Sequence, residues 1–575
     1  MVTSIEEAHG QLTAPGQMFE METVEIYGYP IRTWKNAPPS LRTVLEQSAA
    51  RGDLGFLVYA HDRTGGASED ETMTFGEHFR AAAQLATILR DRYGVQKGDR
   101  VAIAMRNFPE WSVAFWAAAA AGAVVVPLNA WWTAAELVYG FEDSGSKVVF
   151  LDEERAQRLR DDLPPLGLAG VIVAKAEGDL GPGVERFEDV LGDVADDASL
   201  PDVALEPEDL ATIFYTSGTT GQPKGALGTH RNICSNLLSL VFANARRELR
   251  STKPAPAQPA GPAQNTYLLS VPFFHATGCH SVLVANLAFG GKIVIMHKWD
   301  PERALELIER ERVTTFGGVP SMVWQVLESP SFDKRDISSV RSVGYGGAPA
   351  PPELVRRIEA MFPGRSPSNG YGLTETSSVT TMNAGDDYIA KPKSVGAPVA
   401  VCDVQVVDPD GNPVPTGEVG ELWIRGPNVV KGYWNKPEAT EAAFGGGWFR
   451  SGDGASLDDE GFVFIVDRIK DMVIRGGENV YCAEVEAALF EHPDVSDAAV
   501  IGVPHHVLGE EVGAVILRTP GSTVTAEELQ AHVKERLAAF KAPAHVFFRD
   551  EAFPRNPQGK VLKRELREEH VGPTD

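Results

Sequence analysis

Short β-branched runs alternate with helical patterns through the first half of the chain. "RVAIAM" is followed by "PEWSVAFWAAAAAG", "AVVVPL" by "TAAELVYGFEDSG", then comes "KVVFLD"; further on, "KIVIM" precedes "DPERALELIERERV" and "TTFGGVP" precedes "SMVWQVLE". Such alternation predicts an α/β fold in which parallel strands are joined by crossover helices. The pattern changes after about Gly385, where "VQVVDPDGNPVPTGEVGELWIRG" sets short strands between turn signals and predicts a β-rich subdomain. After "GFVFIVDRIKDMV" it changes again: "AEVEAALFEHPDV" reads as a helix, "DAAVIGV" and "EVGAVILR" as strands, and "TAEELQAHVKERLAAF" as a second helix. A length of 575 residues exceeds what one hydrophobic core usually serves. We therefore expect a large N-terminal domain over 1–469, built of parallel-sheet α/β subdomains plus the β-rich one, and a small C-terminal α/β domain over 470–575, divided near Lys470.

With 43% hydrophobic and 23% charged residues the composition is that of a soluble globular protein, and one stretch tests that expectation. Trp111 to Ala135 carries no charge and is long enough to resemble a membrane span, but Gly122 and Pro127 break it. A buried helix, a turn and a short inner strand are expected there, and no transmembrane segment. The net charge of −26 argues against a general nucleic-acid binder, which needs a basic face for phosphates. The cysteines 234, 279, 402 and 482 form no CxxC pair, so neither a disulfide framework nor a cysteine zinc site is indicated, and a reducing cytoplasm fits. The N-terminus lacks a basic region followed by an apolar run, so no signal peptide is expected.

The chemistry concentrates in "YTSGTTGQPKG", Tyr215 to Gly225. It is not a Walker loop, because Lys224 is preceded by Pro223 and followed by Gly225. The physical logic of anion binding survives without that motif. Glycines let backbone N–H groups converge, hydroxyls add donors, and a lysine follows a moving phosphate. Taken alone the composition is also that of a surface turn; its position between the apolar run "LATIF" and "ALGTHRNICSNLL" favours a ligand loop.

"YTSGTTGQPKG" resembles the signature of the acyl-adenylate-forming enzymes, in the branch of acyl-CoA synthetases and fatty-acid-CoA ligases. Six further blocks resemble that family in order: "PFFHATG", "GYGGAPAP", "NGYGLTET", "WFRSGD", "DRIKDMVIRGGENVYCAEVE" and "PRNPQGKVLKREL". The resemblance implies ATP-dependent joining of a carboxylic acid to AMP with loss of pyrophosphate, then transfer of the acyl group to coenzyme A. ATP/AMP, magnesium, coenzyme A and a small-molecule acid are the implied cofactors and partners, and a homodimer is compatible with it. Thr216, Ser217, Gly218, Thr219, Thr220, Gly221 and Lys224 are implied to hold the β- and γ-phosphates, Thr374 the α-phosphate, and Glu375 with Thr216 the magnesium. Gly347, Ala348, Pro349, Asn369, Gly370, Tyr371 and Gly372 are implied to surround the nucleotide, with Tyr371 on adenine and Asp453 and Arg468 on the ribose. Lys560 resembles the lysine that bridges α-phosphate and carboxylate. The small domain is implied to be mobile, turning about Lys470 to present either Lys560 or a coenzyme A-side loop of Gly476, Gly477, Glu478 and Asn479.

His275 resembles a gate between nucleotide and acyl pocket. With Cys279 and His280 it also offers three soft ligands, but in no zinc spacing. Amino-acid-activating relatives resemble one another in an Asp at this place, so an amino acid is not the expected substrate. Phe273, Phe274, Val319, Tyr345, Gly346 and Thr376 are the further candidate acid-lining residues, and their apolar and small character suits a fatty or aromatic acid. Two departures from the family pattern stand out: Cys482 where proline is common, and a Pro/Ala-rich insert before Tyr267. Three rival readings remain: loading of a carrier-protein thiol, a luciferase-like oxidation, and a non-catalytic acyl-nucleotide binding module. Lys224, Glu375 and Lys560 together argue against the last, which has no need of a movable catalytic lysine.

Overall fold

The computed structural model describes residues 3–61, 70–216, 222–251, 264–346, 352–362, 365–469, 471–476, 478–555 and 561–572. Seven strands form one sheet in the order Lys224–Thr229, Leu210–Thr216, Val124–Pro127, Arg100–Ala104, Ser146–Asp152, Gly170–Ala174 and Val184–Arg186. All neighbours run parallel except the first pair, whose antiparallel register sets Thr216 opposite Lys224. The two ends of the Gly/Ser/Thr-rich stretch are thereby brought face to face.

A second sheet has nine strands, with a parallel centre made of Ser366–Tyr371, Ser342–Gly346, Thr315–Gly318, Thr266–Leu269, Lys292–Met296 and Gly55–Ala60. Antiparallel strands close both of its edges. The main core joins residues of both sheets with those of the helices Phe75–Asp91 and Pro109–Ala120. In Pro109–Ala120 every residue but Glu110 is buried. The uncharged stretch thus folds as that helix, a turn at Gly122 with φ +82°, and the inner strand Val124–Pro127. A strand covered on both faces needs such a continuous apolar run. Among the described residues, no helix is long and apolar enough to cross a membrane.

The β-rich part is an antiparallel sheet of Asp403–Val407, Gly420–Arg425, Phe449–Leu457 and Val463–Arg468. Beyond it a further sheet begins at Val473 and includes Val495–His505, Gly509–Arg518 and His545–Arg549. The helices Cys482–Phe490 and Ala526–Lys534 pack against its core. Cys482 is buried at the start of its helix, where its thiol donates to the Asp471 carbonyl at 3.0 Å. Lys470 lies outside the described residues.

Candidate functional site

The carboxyl ends of parallel strands are where α/β folds open a crevice, because each chain leaves the sheet there into a loop. In this protein the ends of Thr315–Gly318, Ser342–Gly346 and Ser366–Tyr371 border a cavity of about 2310 Å³. Its wall brings together Thr216, Lys224, Gly370, Tyr371, Gly372, Thr374, Glu375 and Arg468 with Phe274, His275, Val319, Tyr345 and Gly346. Residues from all seven sequence blocks line this one space, Phe449 to Ser451 and Arg555 among them.

The charged end is tightly wired. Glu375 sits in the short turn Thr374–Thr376, only 9% exposed, and accepts a hydrogen bond from the Tyr433 hydroxyl at 2.8 Å. The Lys224 ammonium stands 5.2 Å over the same tyrosine ring. Tyr433 is held there by backbone: Leu227 N–H donates to Gly432 at 2.9 Å and Trp434 N–H to Gly225 at 2.7 Å, so its segment runs along the strand that begins at Lys224. Burial and the Glu375 carboxylate push the Tyr433 hydroxyl well above its ordinary pKa, keeping it a donor. Nothing in the sequence marked this residue; only the register of "KGYWN" against Gly225 reveals it.

Asp453 stands behind the wall, buried. Its carboxylate accepts from the Tyr371 hydroxyl at 2.5 Å and from Arg468 Nε at 2.6 Å. Burial, then Asp453, drives the Tyr371 hydroxyl far up in pKa. Tyr371 is thus anchored by its polar tip, with its ring packed toward the β-rich core.

The loop that carries Thr374 and Glu375 is constrained from inside. A Cβ on Gly372 would lie 1.3 Å from the Ser378 carbonyl oxygen, and Ser377 and Ser378 take φ of 51° and 109°, a region that side chains resist. Thr376 is fully buried: its hydroxyl accepts from Leu373 N–H at 2.9 Å and meets the Ser378 carbonyl at 3.3 Å. It fixes the loop and does not line the cavity, contrary to the expectation. A wide π-helical segment, Thr277–Val284, braces the same loop, with His280 Nδ1 at 3.1 Å from the Ser377 carbonyl and the Ser281 and Ser378 hydroxyls 2.5 Å apart. Such helices recur at functional sites.

His275 precedes that segment on the cavity wall. Burial pushes its pKa down to about 3 and that of His280 to about 4, so both rings are neutral at physiological pH. Among the described residues no group of three His, Cys, Asp or Glu side chains is set to hold a metal, and His275, Cys279 and His280 form none.

The opposite side is a floor with little on it. Strand alternation points Ser342, Gly344 and Gly346 of one strand, with Ser368 and Gly370 of the next, to the cavity, while Val343 belongs to the core on the far side and Tyr345, packed in that core, still reaches the cavity wall. The two glycines differ. A Cβ on Gly346 would lie 2.7 Å from the Gly370 carbonyl oxygen, whereas one on Gly370 would meet only the tips of Met382 and Val379, both at 4.0 Å. Open room on this floor therefore lies at Gly370. Phe273 is a core residue, fully buried against Trp111 at 5.1 Å, and Asn369 is buried off the wall; neither takes the place expected of it. Trp131 and Trp132 both line the cavity; Trp131 is 45% exposed, while Trp132 is half-buried and meets the ring of Tyr215 edge-on.

Ser217, Gly218, Thr219, Thr220, Gly221, Gly347, Ala348, Pro349, Gly477 and Lys560 lie outside the described residues, as does the side chain of Asn479. Arg555 and Val561, on either side of the Lys560 loop, pair with each other and both line the cavity; Gly476 and Glu478 do not.

The profile of the AMP-binding enzyme family matches residues 45–434, and that of the AMP-binding enzyme C-terminal domain matches 484–560. The chain belongs to the AMP-binding enzyme family. It is 38% identical to a feruloyl-CoA synthase of Amycolatopsis sp, over 86% of this chain and 93% of that one. It is 32% identical to a long-chain-fatty-acid–CoA ligase of Bacillus subtilis (strain 168), over 92% and 95%. Among solved structures, ATP-bound MatB from Rhodopseudomonas palustris superposes with a TM-score of 0.78 at 31% identity, over 92% of this chain and 99% of that one.

Proposed function

We propose that this chain, an AMP-forming acyl-CoA synthetase, activates an aromatic or medium- to long-chain fatty acid, using magnesium and ATP, and hands the acyl group to coenzyme A. The observation that carries the reading is the continuity of one cavity from Thr216, Lys224 and Glu375, past His275, to the opening at Gly370. A carboxylate is a poor electrophile, and joining it to AMP supplies a leaving group. The carboxylate oxygen attacks the α-phosphorus in line, the bond to pyrophosphate breaks, and donors fixed around the phosphates take up the charge that develops. Lys224 and Thr374 serve as such donors, with Lys560 bridging the two reactants.

The residues present suit a magnesium ion. Glu375 is buried, faces the cavity, and has no lysine or arginine in an ion pair with it among the described residues; Thr216 adds a hydroxyl on the same wall. Hard oxygen donors of this kind, completed by phosphate oxygens, are what magnesium takes, and bound there it would neutralise phosphate charge. The neutral imidazole of His275 puts an uncharged edge between nucleotide and acid, and the apolar and backbone-lined floor at Gly370 accepts a tail without charge. A reducing cytoplasm suits the four buried, unpaired thiols. The test is release of AMP from ATP with a panel of acids. Release that requires magnesium, coenzyme A and a cinnamate-like or fatty acid supports the reading. Release that requires a carrier-protein thiol instead, with coenzyme A inert, overturns the acceptor.

A further inference from the structure

The helix Cys482–Phe490 of the small domain is capped from outside that domain. Tyr481 holds its N-cap position, where Ser, Thr, Asn or Asp would bring an oxygen to the first turn. The first N–H groups of a helix find no partner within it and need an acceptor from elsewhere. Here the acceptor comes from the other side of position 470: Ala483 N–H donates to the Asp467 carboxylate at 3.2 Å, and Asp467 is the penultimate residue of the strand Val463–Arg468 in the β-rich sheet. It is only 9% exposed. From this bond, and resting on the acyl-CoA reading above with a small domain that turns about Lys470, we infer that Asp467 is a positioning residue for adenylation. It caps the small-domain helix in one posture only, and through that helix holds the Lys560 loop on the cavity wall.

The route from Asp467 to the reaction is short. Glu486, on the same helix as Ala483, meets the Lys563 ammonium at 2.7 Å and accepts from Val500 N–H at 2.7 Å. Lys563 closely follows Lys560 in the chain and lines the cavity, as do Arg555 and Val561, the bridged pair on either side of the Lys560 loop. The first turn of the helix has a second tie, from the Cys482 thiol to the Asp471 carbonyl at 3.0 Å. The two ties differ in one respect. Asp471 lies beyond position 470 and travels with the small domain, so its bond to Cys482 survives a turn. Asp467 stays with the β-rich sheet, where it pairs with Gly454 across the strands, so a turn about position 470 breaks its bond to Ala483. A bond made in one posture and lost in the other shifts the balance toward the first by its own free energy, and a helix cap is worth about a tenfold change in such a ratio.

The two half-reactions are measured separately on the full-length enzyme: pyrophosphate exchange with acid and ATP, and thioester formation from supplied acyl-AMP with coenzyme A. Asp467→Ala is expected to lower the ratio of the first rate to the second about tenfold, with thioester formation itself kept within about twofold. Asp467→Asn keeps an acceptor oxygen and is expected to restore most of the loss, since asparagine caps helices as well as aspartate does. Lys563→Met cuts the same route further on; it should lower the ratio by a similar factor, and the double variant with Asp467→Ala should lose little more than either alone. Cys482→Ala breaks the tie carried within the small domain and is expected to lower Tm while leaving the ratio unchanged. Equal losses in both half-reactions for Asp467→Ala would make the contact merely structural and overturn the assignment, as would a fall in the ratio for Cys482→Ala as large as that for Asp467→Ala. If the wild type makes acyl-AMP but no thioester with coenzyme A, the acyl-CoA reading fails and this inference with it; a wild type active in both steps beside an indifferent Asp467→Ala sinks the inference alone.

Discussion

The two ends of the cavity are built on opposite principles. At the charged end, side chains are tied to one another: Tyr433 to Glu375 at 2.8 Å, Lys224 over the Tyr433 ring, and Tyr371 and Arg468 both on Asp453. At the acyl end, the floor offers Ser342, Gly344, Gly346, Ser368 and Gly370, a surface of backbone and small side chains. The difference follows from what each must do. Charge that develops in a transition state needs donors already in place, because reorganising them during the reaction costs energy. An apolar tail needs only room and exclusion of water. Substitutions at the first end are expected to change rate for every acid, and substitutions at the second to change which acid is used.

The largest effect is expected at Lys560, whose loop begins and ends on the cavity wall at Arg555 and Val561. Lys560→Ala should lower acyl-AMP formation by about a hundredfold or more, as for other lost transition-state donors, for all acids alike. Thioester formation from supplied acyl-AMP should be largely spared, on our proposal that the small domain turns another face to the cavity for that step. Rates of the two half-reactions decide it, and equal losses in both would make the lysine structural.

Next in size is Gly370. A valine there would enter the space beside Val379 and Met382, so activity with bulky or branched acids should fall by about tenfold to a hundredfold while slim acids are kept. Gly346→Val is the control: its side chain meets the Gly370 carbonyl, so the expected outcome is a lower Tm with no change in acid preference. A shifted acid profile in Gly346→Val at unchanged Tm would break the distinction between the two glycines.

The same contrast explains how much was legible in the sequence. The charged end announces itself, because anion-binding loops require particular residue types at particular spacings, and the alternation of strand and helix patterns predicts the parallel sheets that hold them. The acyl end is set by tertiary register. Phe273 and Phe274 are identical neighbours in "PFFH", yet one packs on Trp111 and the other faces the cavity. Nothing local separates Gly346, blocked by a carbonyl, from Gly370, which opens on space. Tyr433 escaped for the same reason, since its role comes from a strand pairing with a segment some two hundred residues away.

A smaller effect tests the wiring itself. Tyr433→Phe keeps the ring beneath Lys224 and removes only the hydrogen bond to Glu375. The apparent affinity for magnesium should weaken by about tenfold, near the value of one hydrogen bond to a charged group, and Glu375→Gln should weaken it at least as much. The double variant should lose little more than Glu375→Gln alone if the tyrosine acts through the carboxylate. Magnesium titrations of pyrophosphate exchange measure this; additive losses would mean that Tyr433 serves another partner.

The smallest effect is expected of His275, which stands where the two ends meet. Its pKa is pushed down to about 3 by burial, so the ring carries no proton in the physiological range, and between about pH 5 and 8 its titration should contribute no inflection to kcat/KM for the acid. Stability behaves otherwise. His275 and His78 at about 3 and His280 at about 4 all lie below the ordinary value of 6.5, so in that window the unfolded chain binds more protons than the folded one. The stabilisation that neutral burial provides is complete above 6.5 and is lost as pH falls toward 4 and 3, with Tm falling over the same range. Activity measured at temperatures well below Tm separates the two. An inflection near 6.5 at constant Tm, absent in His275→Gln, would mean that the imidazole takes part in proton transfer, and the junction would then belong to the charged end of the cavity.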